Sequence, residues 1–229
     1  MNTTAPATAV RIRPATPSDA DTVVELISLI DLHLPPAEVP TALEPMRRAL
    51  AEPTGEPLTH APNHFLIAED PHGAPLGTIA CGPPLWIYRH PRIPVFMRGM
   101  LLRRIIAVQG LAVLPAHRGR GIGRSLLHHA EATFTACGYT ALTLRHEPGL
   151  ESYYVPLGFT SADRLAMDLP PLGLITQADR GWRHAVKPLA PRVSFSTVYG
   201  VPVRVVTGVL PAPPGAATTG STPVTRPGR

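Results

Sequence analysis

The residues best equipped for chemistry lie in one run, Arg118-Gly119-Arg120-Gly121-Ile122-Gly123-Arg124-Ser125. With no side chains, the glycines at 119, 121 and 123 let bare N–H groups come close to an anion. The three arginines add charge in a planar fork that matches phosphate better than a lone carboxylate would require. Other reactive types are dispersed. The ten histidines include the pair His128-His129, which diverges on a helix, and His60 and His64, which straddle Pro62. No His/Cys cluster has zinc-like spacing, so no metal is expected. Cys81 and Cys137, the only cysteines, are expected to be reduced packing residues.

The elements around the run make it a binding corner. An apolar, β-branched stretch from Ile105 to Leu114 reads as a strand that Pro115 ends. A helix from Ser125 to Cys137 follows, with Leu127, Ala130, Phe134 and Cys137 at helical spacing and Gly138 placed to stop it. The helix start contributes unpaired N–H groups and the positive end of its dipole, a site for phosphate oxygens. A P-loop would need Gly-Lys-Ser/Thr, but Gly123 is followed by Arg124-Ser125. A dinucleotide turn would need its third glycine one residue later.

The pattern Leu111-Ala112-Val113-x-Pro115-x-x-Arg118-Gly119-x-Gly121-Ile122-Gly123 closely resembles the acetyl-CoA signature of the GNAT superfamily of N-acetyltransferases. Downstream, Tyr153-Tyr154-Val155-Pro156-Leu157-Gly158-Phe159 resembles that family's aromatic-Tyr-x-x-Leu-Gly-Phe block, and the opening Arg13-Pro14-Ala15-x-x-x-Asp19 its first strand and helix. The resemblance implies an α/β fold: a mixed, mainly antiparallel sheet flanked by helices, over residues 10–172. It implies acetyl transfer from acetyl-CoA, as co-substrate, to a primary amine by direct attack in a ternary complex. The alternative is a CoA-binding sensor or scaffold without turnover.

The resemblance also assigns roles. Two parallel strands splay at Leu111–Val113 and Thr143–Arg145, and pantetheine threads the gap like an extra strand. An N–H near Leu111, Ala112 or Val113 would stabilise the oxyanion. Arg118 through Ser125, that is Arg118, Gly119, Arg120, Gly121, Ile122, Gly123, Arg124 and Ser125, would hold the pyrophosphate. Tyr154 matches the family's general acid; a phenol with a pKa of about 10 is protonated at neutral pH and can donate to the leaving sulfur. Tyr153 is expected to pack. Candidates for the base are Glu147, which stands near where many relatives carry Asn, His146 and Glu69, with a water chain as the alternative. Gln109 cannot act as a base. The loop holding Asp31, His33 and Glu38 corresponds to where the family lines its acceptor site.

The remaining chain reads in order. Residues 1–9 are expected to be flexible. A strand at Val10–Arg13 precedes a helix that starts near Ser18 and runs to Leu34, then a second helix at Thr41–Ala51 and a loop at 53–63. Phe65–Ala68 and Leu76–Cys81 form a hairpin about Pro71-His72-Gly73. The proline-rich stretch 82–99 reads as an extension of the next hairpin rather than a flap. Ala141–Arg145 is a strand, Glu151–Leu157 a short helix, and Phe159–Leu169 the last strand before Pro170-Pro171. Within an extension at 173–210, Val193–Tyr199 and Val203–Leu210 predict a hairpin that packs on the sheet or pairs with a second subunit to give a homodimer. Residues 211–229, rich in Pro, Gly, Ser and Thr, are expected to be disordered.

Composition sets the outer bounds. Of 229 residues 44% are apolar, enough for a core, and no run approaches a membrane span. Residues 1–9 lack the apolar centre of a signal peptide. The net charge of +5 invites a nucleic-acid partner, but the arginines are scattered and without interleaved aromatics, so none is expected. The expected acceptor is a small-molecule or peptide amine, and the expected setting is the cytoplasm, with no membrane partner.

Overall fold

Alternation within single strands decides how the layers stack. In the computed structural model, which describes residues 10–51 and 63–211, Phe65 and Ile67 point to one face of their strand and Leu66 and Ala68 to the other. Both sets are buried, so the strand must lie between two helical layers.

In chain order the elements are β1 (Arg11–Pro14), α1 (Ala20–Ile27), α2 (Val39–Ala51), β2 (His64–Glu69), β3 (Pro75–Gly82), α3 (Leu85–Arg89), α4 (Val95–Leu102) and β4 (Ile105–Val113). There follow α5 (Ile122–Ala136), β5 (Ala141–His146), α6 (Glu151–Tyr154), β6 (Thr160–Ala162), β7 (Leu165–Asp168), β8 (Leu174–Gln177), β9 (Arg183–Pro188), β10 (Ser194–Ser196) and β11 (Val205–Thr207). The main sheet has the order β1-β2-β3-β4-β5-β9-β6, with β4 and β5 the parallel pair among otherwise antiparallel neighbours. A mixed, mostly antiparallel sheet flanked by helices is the expected fold. One face packs α5 through Leu126, Leu127 and Phe134; the other packs α1 and α2 through Val23, Ile27, Leu43 and Leu50.

Four local expectations are corrected. The first helix ends at Ile27, well short of Leu34. The stretch 82–99 folds as α3 and the start of α4, not as an extended hairpin, because Pro84 and Pro94 stand just before the two helices, where a missing N–H costs nothing. The strand expected over Phe159–Leu169 is two strands in two sheets, broken at Asp163-Arg164. β9, unforeseen in the sequence, comes from beyond residue 172 and sits between β5 and β6 in the main sheet.

The C-terminal hairpin forms as β10 and β11, and β11 pairs in parallel with β7 of its own chain, giving the second sheet β10-β11-β7-β8. This sheet shares a core with α3 and α4, built on Ile87, Met97, Leu101, Met167 and Val206. Cys81, in the core, and the half-buried Cys137 are free thiols. The expectations for 1–9, for most of 53–63 and for the tail after Pro211 fall outside the described residues. No helix among the described residues is long and apolar enough to cross a membrane.

Candidate active site

The site begins where β4 outlasts its partner. β4 and β5 pair from Ile105/Ala141 to Val108/Leu144, and β4 then continues unpaired on that side to Val113. At the same point the register between β3 and β4 slips, so that Gln109 is the extra residue of a bulge. A bulge bends and twists its strand, and this one falls where the pairing of β4 with β5 ends. Leu114 N–H donates to Leu76 O of the β3 side at 2.9 Å. Because successive peptides alternate sides, the main-chain groups of Val113 and Leu111 face the gap, whereas those of Ala112 are turned to β3. Ala112 thus drops out of the expected main-chain donors.

The glycine-rich turn closes the open end of the gap. Gly119 (φ +75°) and Gly121 (φ +80°) adopt left-handed backbone that a side chain would strain. Gly121 caps α5, and the first bond across that cap is Ser125 N–H to Gly121 O, 3.0 Å. The amides of Ile122, Gly123 and Arg124 are the ones that helix geometry leaves unpaired. Ser125 can therefore offer its exposed hydroxyl but not its N–H, and the Ile122 side chain is buried in the core. Arg120 and Arg124 are exposed at the turn. Arg118 folds back, its Nε donating to Val113 O at 3.1 Å. Gly123 is small for a different reason: a Cβ there would stand 2.6 Å from Tyr153 Oη. Tyr153 thus reaches over the turn instead of only packing.

Tyr154 lies on the α5 face of the sheet, beneath the gap. It is 8% exposed, and its ring meets His146 (5.1 Å), Tyr153 (5.0 Å) and Phe159 (5.7 Å). Burial, with Tyr153 adding to it, pushes its phenol up to about 12, so it stays protonated through the whole neutral range. His146 is a brace. Its Nδ1 is 2.6 Å from Glu147 O and must carry the proton, which leaves Nε2 to accept from Ser161 Oγ at 2.8 Å. Both nitrogens being engaged, His146 is not a free base. Neither is Glu69, whose carboxylate is held by Arg13 at 2.6 Å on the far side of β3.

Across the sheet from Tyr154, three connections converge. Asp31 and His33 come from the segment between α1 and α2, Glu147 from the end of β5, and Asp179 and Trp182 from the segment before β9. His33 Nδ1 is 2.9 Å from Asp31 Oδ1, and its Nε2 is 3.7 Å from Glu147 Oε1. Its ring lies 5.0 Å from that of Trp182, over which the Arg145 guanidinium is placed at 5.3 Å. Arg145 and the buried His184 both approach Asp179, at 3.4 and 3.3 Å. Of the acidic residues expected on this loop, Asp31 is the one that meets His33. Trp182 and Asp179 carried no signal in the sequence, since the strand β9 that follows them was not foreseen, and Arg145 was expected on its strand but with no role here.

Residues 61–161 match the family described as Acetyltransferase (GNAT) domain. That stretch, which runs from before β2 into β6 and holds the glycine-rich turn, is similar to a GNAT acetyltransferase domain. No curated protein matches the chain by sequence. Among solved structures, a GNAT family N-acetyltransferase from Escherichia coli in complex with CoA is 21% identical, with a TM-score of 0.53 over 90% of this chain and 93% of the other. The PaiA N-acetyltransferase from Thermoplasma acidophilum in complex with coenzyme A is 15% identical, with a TM-score of 0.53 over 79% and 99%. A GNAT family acetyltransferase from Staphylococcus aureus Mu50 is 17% identical, with a TM-score of 0.52 over 80% and 100%. These likenesses establish the GNAT fold for the chain.

Proposed function

We propose that the protein is a cytoplasmic N-acetyltransferase that passes an acetyl group from acetyl-CoA to a primary amine on a small molecule or peptide. The observation that carries this reading is the gap between β4 and β5, open past Val108/Leu144 and capped by the amides of the 119–124 turn. Two relatives of the same fold were solved with CoA, which supports CoA as the ligand of this gap.

In this reading the pyrophosphate rests on the amides of residues 119–124, with Arg120 and Arg124 beside it. Pantetheine follows the free edge of β4. The N–H of Leu111 or Val113 meets the thioester oxygen and stabilises the oxyanion as the amine attacks. The C–N bond forms and the C–S bond breaks. Tyr154, protonated because it is buried, gives a hydrogen bond and then its proton to the departing sulfur. Glu147, on the opposite face, receives the acceptor's ammonium group and its proton.

The test is release of free thiol from acetyl-CoA against a panel of primary amines, beside calorimetry with coenzyme A. Thiol release that depends on an amine supports the enzyme. CoA binding with no release for any amine supports a sensor or scaffold instead, and no CoA binding overturns both.

A further inference from the structure

The acceptor side holds a proton path beyond Glu147 that the reading above does not use. We infer that Asp31, His33 and Glu147 form a proton relay, in which Glu147 takes the proton from the acceptor ammonium and His33 carries it on to water. This inference rests on the acetyltransferase reading and deepens it.

The geometry fixes the direction. Asp31 Oδ1 accepts from the His33 backbone N–H at 2.8 Å and lies 2.9 Å from its Nδ1. A carboxylate only accepts, so Nδ1 must carry the ring's proton. The lone pair of the neutral ring is then on Nε2, the atom that faces Glu147. The 3.7 Å separation of Nε2 from Glu147 Oε1 is longer than a hydrogen bond, but Glu147 is exposed over 44% of its side chain and free to close it. Catalytic hydrogen bonds are commonly long before substrate binds. The imidazole is itself 46% exposed, which gives the proton its exit.

Charge explains why a carboxylate alone would be a poor acceptor. An ordinary glutamate is far less basic than an amine and returns the proton readily. The Asp31 carboxylate raises the affinity of His33 for a proton above the ordinary imidazole range, with Glu147 adding to the effect. Trp182 backs the ring, and the charges nearest on that side are Arg145 and Asp179, which pair with each other. One proton leaves the ammonium through Glu147 and His33 before attack. A second leaves the nitrogen by the same path as the C–N bond forms, and Tyr154, having protonated the thiolate, regains a proton from water, so that one proton is released per turnover.

The relay is tested with the full chain in two measurements. NMR titration of His33 is recorded for the wild type and Asp31→Asn, and the pH profile of kcat/KM is recorded for both with the best amine of the panel. Asp31→Asn is expected to lower the His33 pKa. The acid limb of the profile, which requires neutral His33, is expected to move to lower pH by the same amount. His33→Ala is expected to lose on the order of tenfold in kcat/KM, less than a direct base would, and to recover with added imidazole. If the His33 titration moves and the acid limb does not, or imidazole restores nothing, the relay is wrong while the acetyltransferase reading stands. If the wild type acetylates no amine, the reading beneath it fails.

Discussion

The two faces of the β4–β5 gap are built in opposite ways. On the α5 side, Tyr154 and His146 are buried, ring against ring, and each His146 nitrogen has a partner. On the other side, Asp31 and His33 are exposed and Glu147 is half-buried, and all three are delivered by segments that connect helices and strands. A buried, fully bonded group is held in one geometry by close packing. Exposed side chains on connecting segments adjust, and they vary without disturbing the core. The α5 side is thus constructed as a fixed part and the opposite side as an adjustable one; in the proposed reaction these are the thioester side and the amine side.

The largest effect that would break this comparison is at Tyr154. Tyr154→Phe keeps the packing and removes the proposed acid, so kcat should fall on the order of 10²-fold while CoA affinity by calorimetry stays within a few-fold. With the phenol near 12, the wild-type profile should show no loss of kcat from deprotonation of Tyr154 up to about pH 10. A basic limb that disappears in Tyr154→Phe but sits near neutral pH would mean that the phenol is not held as described.

A smaller effect sharpens the fixed side. In Gly123→Ala the new methyl meets Tyr153 Oη. The far end of Tyr153 can swing away, and an alanine in a helix gains roughly 0.5–1 kcal/mol over glycine, so the melting temperature should hold or rise. The KM for acetyl-CoA should nonetheless increase several-fold. Adding Tyr153→Phe removes the hydroxyl that collides and should recover part of that increase. If the double variant is no better than Gly123→Ala alone, the methyl obstructs the carrier itself and Tyr153 is a bystander.

The smallest effect lies outside both faces and serves as a control. Arg13 bridges Asp19 and Glu69 at 2.7 and 2.6 Å. The Arg13 guanidinium, helped by the backbone and hydroxyl of Thr16, holds the Asp19 carboxyl well below the usual carboxylate range. A depressed folded-state pKa contributes stability that is fully present above the unfolded value of about 3.9 and is lost as the pH falls below it. Arg13→Ala should cost about 1 kcal/mol at neutral pH and flatten the acid dependence of chemical denaturation below about pH 4. It should leave kcat unchanged.

Much of the fixed side was legible in the sequence, and little of the other. The strand, turn and helix from Ile105 to Ala136 declare themselves by a continuous apolar run, glycines and helical spacing, because packing and backbone angles dictate residue type there. The converse holds for β9. Arg183-His184-Ala185-Val186-Lys187-Pro188 offers only two small apolar residues between polar ends, yet Ala185 and Val186 are buried and every residue of the strand pairs with β5. A short strand held by neighbours on both edges needs little hydrophobicity of its own. α3 and α4 were hidden by prolines that break helices inside but are tolerated in front of them. The His33–Trp182 contact joins residues far apart in the chain, and no local pattern encodes it.

The late arrival of β9 also bears on how the chain is made. During synthesis β5 is made some way ahead of residues 183–188. Until they emerge, β5 has a bare edge, the kind that pairs with whatever strand is nearby. A product truncated near residue 172 would keep every residue of the glycine-rich turn and still be prone to stick to its copies.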